Sequence, residues 1–466
     1  MKEKISAYID SQKEAFISDL KSLVDIKSVR EAPEEGMPFG KGPAKALEKA
    51  IEISALHGFD TINFENYAGE ITYGNDPVLM LLAHLDVVDE GDFWTYEPYN
   101  MKVCDGKAYG RGTTDDKGPM LSCLYALKAA RELFGEPKRG VRLVMGCGEE
   151  TGSEDMDYYF SKREKLPFTL SPDADYPLIN LEKGRFAPAF TRTADNSGEK
   201  RVVAFYGGTT GNIVPCKSSV ILSGIDKNEI SDIIAFTEKN TAVSFSVEDE
   251  NGNIRISALG VSSHAAHPEG GNNAQTALIQ LINSIGLSYN EAAAAFSSLG
   301  KLFPHKETDG NSIGVKMSDD VSGSLTLNFG VLKFEDGIFE GSLDLRCPLC
   351  ANEDNVKTVI EKALSGAGFG FIGEPVMIPV HYVPEDAPVI KTALGVYEEY
   401  TGLKGECLAI GGGTYVHDIE GGVAFGIEFP GIDYRIHGAD EFAVIDELLL
   451  TAKMYTAIIY KLCYED

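Results

Sequence analysis

The chain has 466 residues, more than one hydrophobic core usually supports, so two domains are expected. An apolar content of 43% excludes a disordered chain, and no run approaches the roughly 18 to 20 apolar residues of a membrane span. The formal net charge of -29, with no basic stripe, argues against nucleic acid as a partner, because phosphate binding draws on clustered Lys and Arg.

In chain order, the opening MKEKISAYIDSQKEAFISDLKSLVDI sets Ile5, Phe16, Leu20 and Leu23 among charges at helical spacing and lacks a continuous apolar stretch. It reads as an amphipathic first helix and not as a signal peptide. A second helix is expected over Pro43 to His57. Val78 to Ala83 is an unbroken apolar run, as in a strand buried on both faces of a parallel sheet. A helix from Met120 to Leu133 and a strand from Val141 to Met145 follow. The alternation resumes near the end with a helix over Pro388 to Tyr400, a strand over Val423 to Glu428 and a long helix over Asp440 to Leu462.

Between these parts lie period-two runs such as SSVILSG, GNIRISALG, SLTLNFGVLKF and FEGSLDLRC, which predict antiparallel strands, interrupted by a helix over Ala274 to Ile285. The expected architecture is α/β: a domain split in sequence (1–185 and 381–466) with a mostly parallel sheet flanked by helices. An inserted α+β domain over 186–380 is long enough to hold two small α+β units. The eight cysteines are scattered, mostly in apolar segments, which points to a reducing, cytoplasmic compartment. Cys347 and Cys350 have C-x-x-C spacing but lack the second pair of a zinc site.

Several segments of the split domain end in metal-ligand residue types. The strand at 78–83 runs into His84-Leu85-Asp86, GRGTTDDKGPM places Asp115 and Asp116 before a helix, and the strand at 141–145 runs into Glu149 and Glu150. SPDADYP carries Asp173 and Asp175, and RIHGADE supplies His437 before the last helix. Ligands of open α/β sheets gather outside the carboxyl ends of strands, so these segments can meet at one edge. Each alone has a simpler reading: a core histidine, a helix N-cap or a solvated loop. Together, carboxylates converging without lysine or arginine would repel one another unless a divalent cation lies among them. Two histidines with several carboxylates and no cysteine suit zinc, with manganese or cobalt as alternatives.

These motifs resemble the co-catalytic zinc exopeptidases and deacylases, the family of aminoacylase, carnosinase, acetylornithine deacetylase and the PepV-type dipeptidases. The likeness rests on H-x-D after a strand, G-R-G-x-x-D-D-K-G, the Glu-Glu pair, an Asp about two dozen residues later and a C-terminal histidine. It implies a zinc-exopeptidase-like catalytic domain with an inserted lid, and two metal ions. His84 and Asp173 would hold one ion, Glu150 and His437 the other, with Asp115 bridging. The Asp115–Asp116 peptide bond would be cis. Asp86 would hydrogen-bond the metal-bound imidazole and Glu149 would act as general base. GVSSHAAHPEGGNNA resembles the family segment whose histidine helps stabilise the tetrahedral oxyanion, here His264.

The length of the insertion resembles the dipeptidase branch, whose enlarged lid replaces a partner subunit, so a monomer is expected. Asn212 in TTGNIVP, Arg346 in LDLRCP and the turn Gly411, Gly412 and Gly413 in AIGGGTYVH match residues that would hold the free carboxylate of a dipeptide. Arg346 as a strand cap and the glycines as a plain turn are the simpler readings. The implied activity is metal-dependent hydrolysis of dipeptides, small peptides being the partner, with neither nucleic acid nor membrane. N-acyl amino acid deacylation of the acetylornithine or succinyl-diaminopimelate type is the alternative, and a non-catalytic protein retaining the fold is a second.

Overall fold

The computed structural model describes residues 1–465. The chain forms two compact units: Met1–Leu181 with His381–Leu408 and Gly413–Asp466, and Glu182–Val380 with Ala409–Gly412.

The first unit is built on a mixed sheet. Its centre is parallel: Val141–Gly146 pairs with Leu79–His84, which pairs with Phe168–Ser171, which pairs with Gly422–Ala424. Antiparallel strands Ala68–Tyr73 and Thr61–Phe64 extend one side. All residues of Leu79–His84 and Val141–Gly146 are buried. Their side chains alternate between two clusters. Leu79, Leu81, Ala83, Leu143 and Met145 join the helices Lys117–Phe134 and Ile445–Cys463 in the main core. Met80, Leu82 and Val144 pack with Met156, Tyr159 and Tyr415 on the other face. Both faces are therefore covered, and the strands are apolar apart from the terminal His84 and from Arg142, which is buried and pairs with Glu70.

A small sheet of Lys102–Cys104, Lys107–Tyr109 and Phe442–Val444 pairs Tyr109 with Phe442. It thereby ties the loop that follows residue 109 to the one that precedes residue 442. The same pairing corrects the expected last helix, which begins at Ile445 and not at Asp440, because Phe442–Val444 is spent on a strand. The strand expected over Val423 to Glu428 is shortened to Gly422–Ala424; beyond it Phe425 and Ile427 donate backbone hydrogen bonds to Ser171 and Ala174. The first helix is two, Lys2–Ser11 and Lys13–Val24, divided at Gln12. Among the described residues no helix is long and apolar enough to cross a membrane.

The second unit has its own core around Phe205, Leu278, Phe296, Phe329 and Phe339. Its strands form a ten-stranded antiparallel sheet, with Thr326–Glu335 and Ile338–Cys347 as its longest pair, and a separate two-stranded one, Ser318–Asp319 with Gly323–Ser324. Helices Lys227–Thr241, Glu291–Leu302 and Thr358–Gly366 join the anticipated one, Ala274–Ser284. Three of the four start at an Asp or Asn whose side chain accepts backbone N–H groups: Asp226, Asn273 and Asn290. Asp226 and Asn290, the caps of the two unanticipated helices among these, are local signals that the period-two texture around them masks.

Leu124 lies at 0% exposure in the helix that directly follows Asp116. Leu124→Ala is expected to destabilise the first unit by about 2–5 kcal/mol, the usual result of a core cavity. Urea unfolding followed by tyrosine fluorescence checks this through a lowered midpoint at unchanged slope.

Candidate metal centre

The parallel strands deliver their carboxyl ends to one edge of the first unit. His84 is the last residue of its strand, and Glu149 and Glu150 follow the end of Val141–Gly146 in a short 3-10 turn, Glu149–Thr151. Asp173 follows Phe168–Ser171, and Asp115 immediately precedes the helix Lys117–Phe134. His437 stands in the left-handed region at φ 59, a conformation that histidine tolerates better than most residues.

These side chains come together. The two oxygens of Asp115 face different histidines: Oδ1 lies 2.9 Å from His84 Nε2 and Oδ2 lies 2.8 Å from His437 Nε2. His84 Nε2 is 3.7 Å from Asp173 Oδ2, and His437 Nε2 is 3.3 Å from Glu150 Oε1. Ligand atoms of His84, Asp115 and Glu150 lie within 4.8 Å of one another, as do those of His84, Glu149 and Asp173. Glu149 is thus close enough to be read as a ligand as well as a base. The Asp115–Asp116 peptide bond is cis.

Electrostatics and hydrogen bonding fit a cation site. His84 Nε2 and Glu150 Oε1 are both buried without a hydrogen-bond partner, despite their neighbours. Unpaired buried polar atoms facing one point are what a metal satisfies. Without a cation, the cluster is pulled toward taking up protons. Burial and Asp115 push Glu150 up to about 7, and burial pushes Glu149 well above the usual carboxylate range. Burial would lower His437, but Asp115 and Glu150 outweigh it and raise it to about 11. His84 is likewise raised, the nearby carboxylates of Asp115, Asp173 and Asp86 outweighing burial. The nearby Lys117 does not supply the missing charge: its Nζ donates to the carbonyls of Leu23 and Ile26, at the end of the second helix.

Buried carboxylates hold the ligand-bearing loops through backbone N–H groups. Glu441 Oε1 accepts from Gly112, Thr114 and Asp115 at 3.0, 3.0 and 3.3 Å, and its Oε2 pairs with Arg111 Nη1 at 2.7 Å. Asp116 Oδ2 accepts the His84 N–H at 2.9 Å. Asp86 accepts from Glu149 and Glu150 at 3.2 and 3.1 Å. The tighter partner of His84 Nδ1 is the Asp86 carbonyl at 3.0 Å, the carboxylate standing at 3.5 Å. Asp86 therefore acts on the glutamate turn as much as on the imidazole. Sequence reasoning named Asp116 only as an acid before a helix and gave no role to Glu441 or Arg111, although Glu441 stands four residues after His437.

The residues matched to the inserted domain also cluster, within the second unit. Ile213 and His264 form a backbone bridge, and Asn212 accepts from the Ala265 N–H at 2.8 Å. His264 Nδ1 accepts from the Ala266 N–H at 3.2 Å, so a neutral ring carries its proton on Nε2. Arg346 differs from a free fork. Its Nε donates to Asp344 at 2.7 Å and its Nη1 to the Gly411 carbonyl at 2.5 Å. Asp344, at 0% exposure, also pairs with Arg185 at 2.7 Å, so the Arg–Asp–Arg trio keeps one net positive charge. Arg185, directly opposite Arg346 in the register, gave no motif signal. Gly412 belongs to this unit with Gly411, whereas Gly413 belongs to the first.

The profile of peptidase family M20/M25/M40 matches residues 80–461. A Beta-Ala-Xaa dipeptidase of Lactobacillus delbrueckii subsp. lactis is 32% identical over 477 residues, covering 98% of each chain. Human carnosine dipeptidase 1 shares the fold at TM-score 0.57 and 16% identity over 98% of each chain. An aminoacylhistidine dipeptidase from Vibrio alginolyticus does so at TM-score 0.58 and 14% identity over 97% of each chain.

Protein purified without chelator should carry about two equivalents of divalent metal by plasma emission, the stoichiometry of a two-metal site. Asp115→Ala should lower this to one equivalent or fewer. A single equivalent in the parent chain, unchanged by Asp115→Ala, would refute the bridge.

Proposed function

The chain belongs to peptidase family M20/M25/M40, and from that premise and the ligand geometry we propose that it is a dinuclear metallo-dipeptidase acting on dipeptides with a free C-terminal carboxylate. The observation that carries the reading is Asp115, one oxygen toward each histidine, with Asp173 beside His84 and Glu150 beside His437. His84, Asp115 and Asp173 hold one ion in this reading, and Asp115, Glu150 and His437 the other. Zinc suits this donor set, with manganese or cobalt as substitutes. Bound there, two divalent ions supply a water acidified toward neutrality and polarise the scissile carbonyl.

Glu149 takes the proton of the attacking water and hands it to the leaving amine. Asp86 holds the glutamate turn and steadies His84. The His264 Nε2–H stabilises the oxyanion of the tetrahedral intermediate. Asn212, Arg346 and the Gly411, Gly412 and Gly413 turn bind the terminal carboxylate. Because Asp344 already neutralises one guanidinium, the surplus charge of the Arg185–Asp344–Arg346 trio, and not Arg346 alone, is what supports that role. The active form is a monomer, a reading supported by the long insert Glu182–Val380. Eight free cysteines support a reducing compartment, the cytoplasm.

Glu149→Ala should lower kcat by about 100-fold or more while leaving metal content and KM largely unchanged, as removal of a general base does. Loss of metal with this substitution would make Glu149 a ligand.

Substrate class is tested with Ala-Ala, Ala-Ala-amide and N-acetyl-alanine in one assay series. A carboxylate pocket predicts that amidation depresses kcat/KM by about 10- to 100-fold, since a hydrogen bond to a charged group contributes about 1.5–3 kcal/mol. Equal cleavage of acid and amide would remove the pocket. Faster release of acetate from N-acetyl-alanine than of alanine from Ala-Ala would favour the deacylase alternative.

A further inference from the structure

The segment joining the strand Val141–Gly146 to Glu149 and Glu150 donates successive backbone N–H groups to two carboxylates. Glu149 and Glu150 donate to Asp86, as described. Cys147 and Gly148 donate to Asp155 Oδ2, at 2.7 and 2.8 Å. Asp155 has 0% exposure and lies in the helix Glu154–Phe160. The Tyr415 hydroxyl donates to the same oxygen, and Oδ1 accepts the N–H of Met156 at 2.8 Å. None of these partners is a cation, and burial pushes the Asp155 carboxyl up to about 6. A buried carboxylate with only neutral donors is a costly choice for mere packing.

The surroundings leave this group little freedom. A Cβ on Gly146 would lie 2.0 Å from the Tyr415 hydroxyl oxygen and 2.5 Å from Asp155 Oδ2. The Tyr415 ring stands edge-on to the His84 imidazole, with centroids 6.2 Å apart at 88°. Tyr415, Asp155, the Cys147–Gly148 backbone and His84 thus form one packed unit beneath the glutamate turn.

We propose that Asp155, held by Tyr415, is a positioning residue that aims the Glu149 carboxylate by fixing the two backbone amides before it. This rests on the reading of Glu149 as the base. The turn carries a group whose work depends on its direction, and misplacement of such a group by about 1 Å can cost about 100-fold in rate. Asp86 fixes the amides of the two glutamates themselves; Asp155 fixes the hinge from which they spring.

The test is Asp155→Asn, which keeps the shape and removes the charge that strengthens the two amide bonds. The expected result is a kcat lowered about 10- to 100-fold, with KM within about twofold and metal content unchanged. If Asp155 acts through Glu149, the same substitution should cost much less, about threefold or under, in a Glu149→Asp background, whose shorter base is already misplaced. An unchanged kcat, an equal loss in both backgrounds, or a loss that excess metal restores would overturn the proposal. Should Asp155→Asn fail to fold, Tyr415→Phe removes one donor to the same oxygen. It should lower kcat about threefold with KM and metal content kept, and an unchanged kcat would again overturn it. Glu149→Ala separates the two readings: if it abolishes turnover while Asp155→Asn leaves kcat unchanged, positioning fails and the base stands.

Discussion

One carboxylate, Asp115, turns an oxygen toward each of two histidines, 2.9 and 2.8 Å away, and the rest of the site depends on its being kept there. Around it stand Asp173, Glu149 and Glu150, while the nearby Lys117 donates to backbone carbonyls and not into the group. In the low dielectric of a buried site such a set repels itself strongly. It stays together because the fold holds the side chains from behind, and because the position they surround suits a dication.

The holding is done largely through backbone N–H groups. Glu441 gathers three amides of the loop before Asp115, Asp116 takes the amide of His84, and Asp86 and Asp155 take the four amides from Cys147 to Glu150. Parallel strands end in loops with unsatisfied donors, and carboxylates buried beneath them satisfy those donors while adding direction. Arg111, nearly buried, balances Glu441, and such a pair contributes geometry more than stability. Strand ends thus become fixed mounts for ligands instead of flexible loops.

Much of this was visible before any coordinates. The apolar run at residues 78–83, the acids and histidines at strand ends and the period-two texture of the insertion are local patterns, and local patterns survive in a one-dimensional reading. The failures were also physical. The last helix starts late because Phe442–Val444 finds a strand partner more than three hundred residues earlier in the chain. Three helices of the second unit escape the sequence reading: strand-like alternation on either side outweighs the caps Asp226 and Asn290 of two of them, and the third, Thr358–Gly366, has no capping side chain. Arg346 read as an open fork, since nothing in LDLRCP indicates that Asp344 and the Gly411 carbonyl engage it.

The sequence by itself determined the chemistry: which residue types meet, on which strand ends, and so the family and the two-metal reading, because metal ligands must be of a few kinds and sit at a few places in an α/β sheet. Only the tertiary structure decided direction. That one oxygen of Asp115 faces His84 and the other His437, that Glu441 reaches Arg111 across 330 residues of chain, and that Asp155 lies under the glutamate turn are long-range pairings. A buried carboxylate paired with distant backbone amides leaves no periodicity and no composition signal, since its partners are groups that every residue but proline carries.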